Sequence, residues 1–123
     1  NKRNYIAQIY KKNLKNLPLS FQNVGNNFKS SYHLFIIKIN TKKKLHLKLF
    51  KFLRKNKIFV NLHYLPLHLH PFYKRLNFKK GDFPNSENYS ERAISIPIFP
   101  NLTKKQQFKI INLIKRFFKY EKK

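Results

Sequence analysis

The stretch Ile94-Ser95-Ile96-Pro97-Ile98-Phe99-Pro100-Asn101-Leu102-Thr103 decides the fold, because it joins the last predicted strand to the last predicted helix. Residues 94–98 alternate like a β-strand, and Pro97 confines this strand to a sheet edge, since proline has no N–H for a central ladder. Thr103 and Gln106 form the capping-box pattern that begins a helix. Apolar residues then recur at helical spacing, namely Ile110, Ile111, Ile114, Phe117 and Phe118.

Upstream of this stretch, the sequence predicts further helices and strands. A helix over residues 2–15 stops at Leu17-Pro18, because the residue before proline avoids helical angles. Thr41 is the predicted cap of a helix over residues 42–55, and Asn56 suits the left-handed residue that ends it. The other predicted elements are strands at 32–39 and 58–62, a loop at 64–71, a helical turn at 72–76, and a short helix up to Ala93 capped by Asn85 or Ser86. This order predicts one α+β domain, with a small antiparallel or mixed sheet flanked by helices.

Charge is the most extreme property of the 123 residues. The 28 Lys and Arg face four acids, giving a net charge of +24, which favours a polyanionic partner such as RNA. However, Lys, Asn, Phe and Ile, all with A/T-rich codons, supply over half of the chain, and only five cations are Arg. Arg is the residue preferred for bidentate contacts with phosphates and bases. Nucleotide drift therefore explains the charge as well as nucleic-acid binding does.

Several functional classes are excluded by what the composition lacks. The chain has no Cys, which excludes a disulfide scaffold, a thiolate metal site and a cysteine nucleophile. Its longest apolar run, at residues 34–37, is far shorter than the roughly 20 residues of a membrane span. The two glycines are too few for a Gly-rich phosphate loop. We therefore expect no association with a membrane.

Histidines and acids are the candidates for chemistry by the chain itself. His63, His68 and His70 could suggest a metal site, but they would need another ligand, and we favour polar residues on a half-buried loop. An extended segment would place His68 and His70 on the same side. Glu87 and Glu91 lie one helical turn apart, and we favour solvated ion pairs with neighbouring cations over general acid–base catalysis.

Two further patterns have a structural and a functional interpretation. The lysine run at 42–44 could bind phosphate, but a solvated helix face is the favoured interpretation. A set of phenylalanines at helical spacing is interpreted as core rather than as a stacking platform for bases; it comprises Phe50, Phe52, Phe108, Phe117 and Phe118.

Three segments together resemble one enzyme family. They are residues 60–73, with the pattern His63-Tyr64-x-Pro66-x-His68; residues 80–87, with Gly81-Asp82-Phe83-Pro84; and residues 94–103, with Ile94-Ser95-Ile96-Pro97. In combination and spacing they resemble the C-terminal part of the DegT/DnrJ/StrS sugar aminotransferases, and within the family the branch that works in pseudaminic acid synthesis. The likeness covers nearly the whole chain.

The resemblance implies the C-terminal small domain of a fold type I transferase that depends on pyridoxal 5'-phosphate (PLP). The chain begins with Asn1, and we expect a larger domain upstream to hold PLP and the lysine that reacts with it. The implied reaction moves an amino group, with glutamate as the expected donor, to a 4-keto nucleotide sugar. We expect a cytoplasmic homodimer, and we expect the chain alone to be inactive.

The resemblance also implies site residues at the mouth of the active-site cleft. His63, Tyr64 and His68 match the family segment and are the candidates for substrate contact, since His and Tyr can bond sugar hydroxyls or a diphosphate. The alternative is that this loop only packs two domains together. His70 replaces a Gln that is common in the family and is not a candidate.

Two other functions compete with this one. A small basic RNA-binding or ribosomal protein would explain the charge, although it gives no reason for the Gly81-Asp82-Phe83-Pro84 segment and the segment 94–103 at their separation. The other is a non-catalytic interaction or structural remnant made by a truncated gene. The coding region upstream of Asn1 distinguishes the remnant from the enzyme.

Overall fold

The computed structural model describes residues 2–41 and 45–121, and its centre is a four-stranded antiparallel sheet. The strands are β1 (Leu19–Phe21), β2 (Phe35–Ile39), β3 (Asn61–Leu62) and β4 (Ala93–Ile96), in the order β1-β2-β4-β3. Phe35 pairs with Ile96, and Ile37 pairs with Ile94. These four side chains share the buried face of the sheet, since residues paired across strands point to the same side. The predicted small antiparallel sheet is confirmed.

The prediction that the strand at 94–98 lies at an edge is wrong. β4 lies between β2 and β3, and all four of its residues are buried. Pro97 comes directly after the strand, so the missing proline N–H interrupts no ladder. The two edges of the sheet are β1 and β3. β1 begins immediately after Pro18, in a segment that the sequence did not mark as a strand.

The described residues also form five α-helices. They are α1 (Lys2–Leu14), α2 (Leu45–Lys55), α3 (Pro71–Arg75), α4 (Pro84–Ser90) and α5 (Lys104–Tyr120). The helix predicted over 2–15 is confirmed. The helix predicted over 42–55 is confirmed from Leu45 onward, and the lysine run at 42–44 lies outside the described residues. Thr41 is described, but the residues that directly follow it are not, so its role as the cap stays a prediction. No helix in the described ranges combines the length and apolar character of a membrane span.

The start of α5 follows the local sequence, whereas the end of α2 and both ends of α4 differ from the prediction; α4 ends at Ser90, and Ala93 belongs to β4. The capping box is present, because Gln106 N–H donates to Thr103 Oγ1 and the Gln106 side chain bonds back to the Thr103 backbone N–H. After α2 the left-handed residue is Lys57, with φ of 60°, and not Asn56. α4 begins at Pro84 rather than after a cap at Asn85 or Ser86, because proline suits the first helical position.

The core fills the space between the sheet and α1, α2 and α5. Its fully buried side chains include Tyr10, Phe35, Ile37, Leu49, Leu53, Ile94, Ile111 and Ile114. Of the phenylalanines predicted to be core, Phe117 and Phe118 are buried and two are half-buried. Phe108 is 43% exposed. The inward position beside it is taken by Gln107, whose amide donates to the Ile6 carbonyl oxygen at 2.7 Å.

Candidate functional site

The histidine-rich segment leaves the sheet at the end of β3 and forms a compact loop. Leu67–Leu69 is a single turn of 3-10 helix, closed by a hydrogen bond of 2.9 Å from Leu69 N–H to the Pro66 carbonyl oxygen. His70 Nε2 lies 3.2 Å from the carbonyl oxygen of Leu65. The loop is therefore held by its own short-range contacts before it enters α3.

The three predicted site residues differ sharply in exposure. His63 is 4% exposed and His68 is 6% exposed, whereas Tyr64 between them is 72% exposed. The rings of His63 and Tyr64 meet edge to face, with 4.5 Å between their centroids. Of the three, only Tyr64 presents most of its side chain to a molecule arriving from outside.

The prediction that His68 and His70 share one side is wrong. The segment is a 3-10 turn with three residues per turn, so residues two apart point in different directions. His68 is buried and His70 is exposed. In the described ranges, no group of three His, Asp or Glu side chains is placed to hold a metal ion.

His63 is a buried polar side chain with an unused nitrogen. Within the described part of the chain, its Nε2 atom has no hydrogen-bond partner. Burial lowers the pKa of His63, so the ring favours its neutral form. A neutral imidazole nitrogen can donate or accept one hydrogen bond, so this buried atom keeps a hydrogen-bonding capacity that no described residue satisfies.

Glu87 is not the solvated residue that the sequence predicted. It is buried, and its Oε1 atom lies 2.8 Å from His68 Nε2 and accepts the Gly81 N–H at 2.7 Å. The bond from Gly81, followed by that from His68, lowers the pKa of Glu87. Glu91 does follow the prediction, since one of its oxygens lies 3.7 Å from Nζ of the exposed Lys80.

The contact between His68 and Glu87 joins two of the three segments that carry the family resemblance. Gly81 has φ of +104°, a conformation that residues with a Cβ rarely adopt, and its N–H faces Glu87. Asp82 closes the same turn by accepting the Lys79 N–H at 2.8 Å. The Phe83 ring lies against His68, with 4.8 Å between centroids. No short-range sequence signal connects Glu87 to His68, because 19 residues separate them.

A largely apolar cavity of about 330 Å³ opens beside this contact. Its lining is Leu67, His68, Tyr73, Phe78, Phe83 and Ser86. Two larger clefts, of about 520 and 550 Å³, flank the strands, and His33 lines both. Neither cleft includes one of the three predicted site residues, so the histidine loop and the sheet clefts are separate features.

The lysines of this chain do not fit the role of the lysine that reacts with PLP. That lysine has to lie in a shielded pocket, where a lowered pKa makes its amine nucleophilic. Every lysine within residues 2–41 and 45–121 is exposed or half-buried, and none of them is buried. No described lysine therefore fits the role of the lysine that reacts with PLP.

Comparison with known structures defines the class of protein. Spr1654 from Streptococcus pneumoniae, in its PLP-form, matches with a TM-score of 0.88 over 97% of this chain and 31% of its own, at 24% identity. Helicobacter pylori PseC, an aminotransferase involved in the biosynthesis of pseudoaminic acid, matches with a TM-score of 0.81 and 26% identity, over 97% of this chain and 32% of its own. The fold is that of the C-terminal domain of fold type I, PLP-dependent aminotransferases.

The family follows from the sequence comparison. The model of the DegT/DnrJ/EryC1/StrS aminotransferase family matches residues 1–115, and the chain belongs to this family. It is 38% identical over 119 residues to the uncharacterized protein MJ1066 of Methanocaldococcus jannaschii, covering 94% of this chain and 31% of the relative. It is 35% identical over 114 residues to GDP-perosamine synthase of Vibrio cholerae, covering 92% and 31%. The chain thus spans about a third of the length of these relatives.

Proposed function

We propose that this chain is the C-terminal small domain of a PLP-dependent aminotransferase that aminates a 4-keto nucleotide sugar. The match of the family model to residues 1–115 carries this proposal. Tyr64 supports the location of the substrate-facing wall, because it is exposed between β3, which pairs with β4, and a turn that is closed by hydrogen bonds. Glutamate is the proposed amino donor.

The cofactor belongs, in this proposal, to a larger domain encoded upstream of Asn1. Two observations support a separate cofactor-binding domain. The chain spans about a third of the length of its relatives, and no described lysine is buried. PLP, when bound by that domain, acts as the electron sink for amino transfer. The small domain orients the nucleotide sugar and keeps water from the reacting carbonyl, and alone it is inactive.

The same proposal includes other parts of the enzyme that cover the histidine loop. Large apolar side chains are exposed on and beside the loop, namely Tyr64, Leu65, Leu67, Phe72, Leu76 and Phe83. Apolar patches of this kind mark contact surfaces, because leaving them in water is unfavourable. We propose that the larger domain and a second subunit of a cytoplasmic homodimer cover them.

The proposed substrate is a UDP-linked 4-keto sugar used in the synthesis of pseudaminic acid or a related surface glycan. The likeness to PseC supports the sugar, and the likeness to GDP-perosamine synthase makes a GDP-linked sugar the competing substrate. Tyr64, His63 and His68 are the proposed contacts. Tyr64 is exposed, whereas His63 and His68 are buried, and His68 lines the cavity of about 330 Å³.

The test begins with the coding region upstream of Asn1, where we expect an open frame that encodes a domain with the PLP lysine. The complete enzyme is then given glutamate, and PLP absorbance reports the first half-reaction. UDP- and GDP-linked 4-keto sugars are supplied in separate assays for the second half-reaction. A stop codon directly upstream, or an enzyme whose PLP does not respond to glutamate, contradicts the proposal.

A matched pair of tyrosine variants tests the position of the substrate. Tyr64→Ala should raise KM for the nucleotide sugar by about tenfold, while the half-reaction with glutamate keeps its rate. Tyr120→Ala is the control, since Tyr120 is similarly exposed but lies at the end of α5. Equal effects of the two substitutions would show that the loop has no special contact with substrate.

The alternative of RNA binding is favoured by the net charge of +24 alone. Filter binding with mixed RNA at rising salt tests it, because nonspecific phosphate contacts weaken steeply with salt. Tight binding that survives near-physiological salt would favour the RNA-binding protein.

A further inference from the structure

Glu87 is a buried carboxylate in a chain with 28 cationic residues and four acids. A carboxylate removed from water needs hydrogen-bond donors, because its desolvation is costly. Here a backbone N–H, that of Gly81, and an imidazole, that of His68, supply them. The carboxylate is thus held by a turn and a histidine rather than by a surface lysine.

The contact determines the state of the histidine ring. An ionised carboxylate can only accept, so the hydrogen of the 2.8 Å contact lies on His68 Nε2. In the neutral ring, Nδ1 is then the acceptor. The hydrogen bond to Glu87 and the contact with the Phe83 ring together fix the plane of the His68 ring. Gly81 fixes Glu87 in turn, since its positive φ allows its N–H to face the carboxylate.

The same contact is a polar side-chain attachment between the histidine loop and the segment 79–87, beside the ring contact of His68 with Phe83. His68 belongs to the 3-10 turn Leu67–Leu69, and the contact crosses 19 residues of chain. The other polar contacts at the turn, from Leu69 to Pro66 and from His70 to Leu65, are internal to the loop. They give the loop its shape but do not attach it to the rest of the fold.

We propose that Glu87 is a positioning residue, which holds the loop bearing Tyr64 in the orientation that receives the nucleotide sugar by binding His68 from beneath. The inference rests on the proposed function and adds to it a residue that does not contact substrate. It also gives the Gly81-Asp82-Phe83-Pro84 segment a physical role, which is to place a carboxylate under the loop.

The experiment compares Glu87→Gln with Glu121→Gln in the complete enzyme. Both substitutions remove one carboxylate charge, but Glu121 lies at the exposed end of α5, where its oxygens are 3.5 Å from Lys48 Nζ. Glu87→Gln should raise KM for the nucleotide sugar by about tenfold. The half-reaction with glutamate should keep its rate in both variants, because it does not use the histidine loop.

A double-variant cycle separates positioning from general destabilisation. If Glu87 acts through His68, then Glu87→Gln combined with His68→Gln should have the same KM as His68→Gln alone. Should Glu87→Gln not fold, Glu87→Asp keeps the charge, withdraws the carboxylate by one methylene and should show the same change in KM. The soluble yield and the retained rate of the half-reaction with glutamate show whether the Glu87→Asp variant folds.

The outcomes for the two proposals are distinguishable. An unmodified enzyme whose PLP does not react with glutamate contradicts the proposed function. An active enzyme in which Glu87→Gln leaves the sugar KM unchanged, slows both half-reactions equally, or adds independently to His68→Gln overturns the positioning role while the proposed function stands.

Discussion

The hydroxyl of Tyr10 donates a 2.9 Å hydrogen bond to the carbonyl oxygen of Pro97, which ties the first helix to the residue directly after the central strand. Tyr10 is completely buried, and its ring packs 5.2 Å from that of Phe35 on β2. Burial also raises the pKa of Tyr10, so its hydroxyl keeps its hydrogen at all ordinary pH values. Pro97 thus contributes its carbonyl group to the fold, at a position where its missing N–H has no cost.

Tyr10→Phe should lower the free energy of unfolding of the chain by about 1 kcal/mol. The substitution removes only the hydroxyl, so the ring contact with Phe35 persists and the Pro97 carbonyl loses a partner. Urea unfolding followed by circular dichroism measures the change. Tyr120→Phe, at an exposed position, is the matched control and should leave the midpoint unchanged; equal midpoints for both variants would contradict the role of this bond.

Gln107 provides a second polar contact in the core, and this one joins α5 to α1. It is 1% exposed, and its amide donates to the Ile6 carbonyl oxygen of α1. Gln107→Ala should destabilise the chain by about 1–3 kcal/mol, because it removes buried contacts as well as the hydrogen bond. Lys105→Ala on the exposed side of α5 is the control. A loss no larger than that of the control would show that the bond contributes nothing to stability.

The capping box at the start of α5 should be worth about 1 kcal/mol. Thr103→Ala removes the oxygen that accepts the Gln106 N–H, whereas Thr103→Ser keeps it. Thermal unfolding of the two variants side by side measures the difference. We expect Thr103→Ser to resemble the unmodified chain, and a Ser variant as unstable as the Ala variant would assign the effect to the lost methyl group instead.

Stability should fall as the pH drops below about 6.5, the ordinary histidine pKa. Burial lowers the pKa of His63 and of His46, although the Glu91 carboxylate opposes the shift at His46. A histidine whose pKa is lowered by folding binds its proton more readily in the unfolded chain. Its contribution to the free energy of unfolding is therefore complete at pH values above its pKa in the unfolded chain. This contribution is lost as the pH falls towards its pKa in the folded chain. Glu87, whose pKa is also lowered, adds a further loss in more acidic solution, below its ordinary value.

His63→Gln should flatten this pH dependence, because the side chain that replaces histidine does not titrate. Unfolding free energies at pH 7.5, 6.5 and 5.5 give the slope. His33→Gln, at an exposed histidine, is the control and should keep the slope of the unmodified chain. The burial of His63 would be contradicted if both variants had the same slope.

Helices were predictable because their signals are local. The periodicity of α1, α2 and α5 and the pair Thr103 and Gln106 each depend on residues within a few positions of one another. Strand boundaries were less predictable: the strand expected at 58–62 is regular only over Asn61–Leu62, and β1 was not expected at all. Short strands contain too few residues to show a clear alternation of apolar and polar side chains, and their pairing depends on partners that are distant in sequence.

The sequence by itself determined the family, the α+β class and the positions of the long helices, and it made the segment that contains Tyr64 the candidate site. Only the tertiary structure decided that β4 is central, that His63 is buried beside an exposed Tyr64, and that Glu87 lies against His68. The physical reason for this difference is the distance along the sequence over which each interaction acts. Helical periodicity and caps act between near neighbours in sequence, whereas strand order, burial and a contact across 19 residues exist only after distant parts of the chain have packed together.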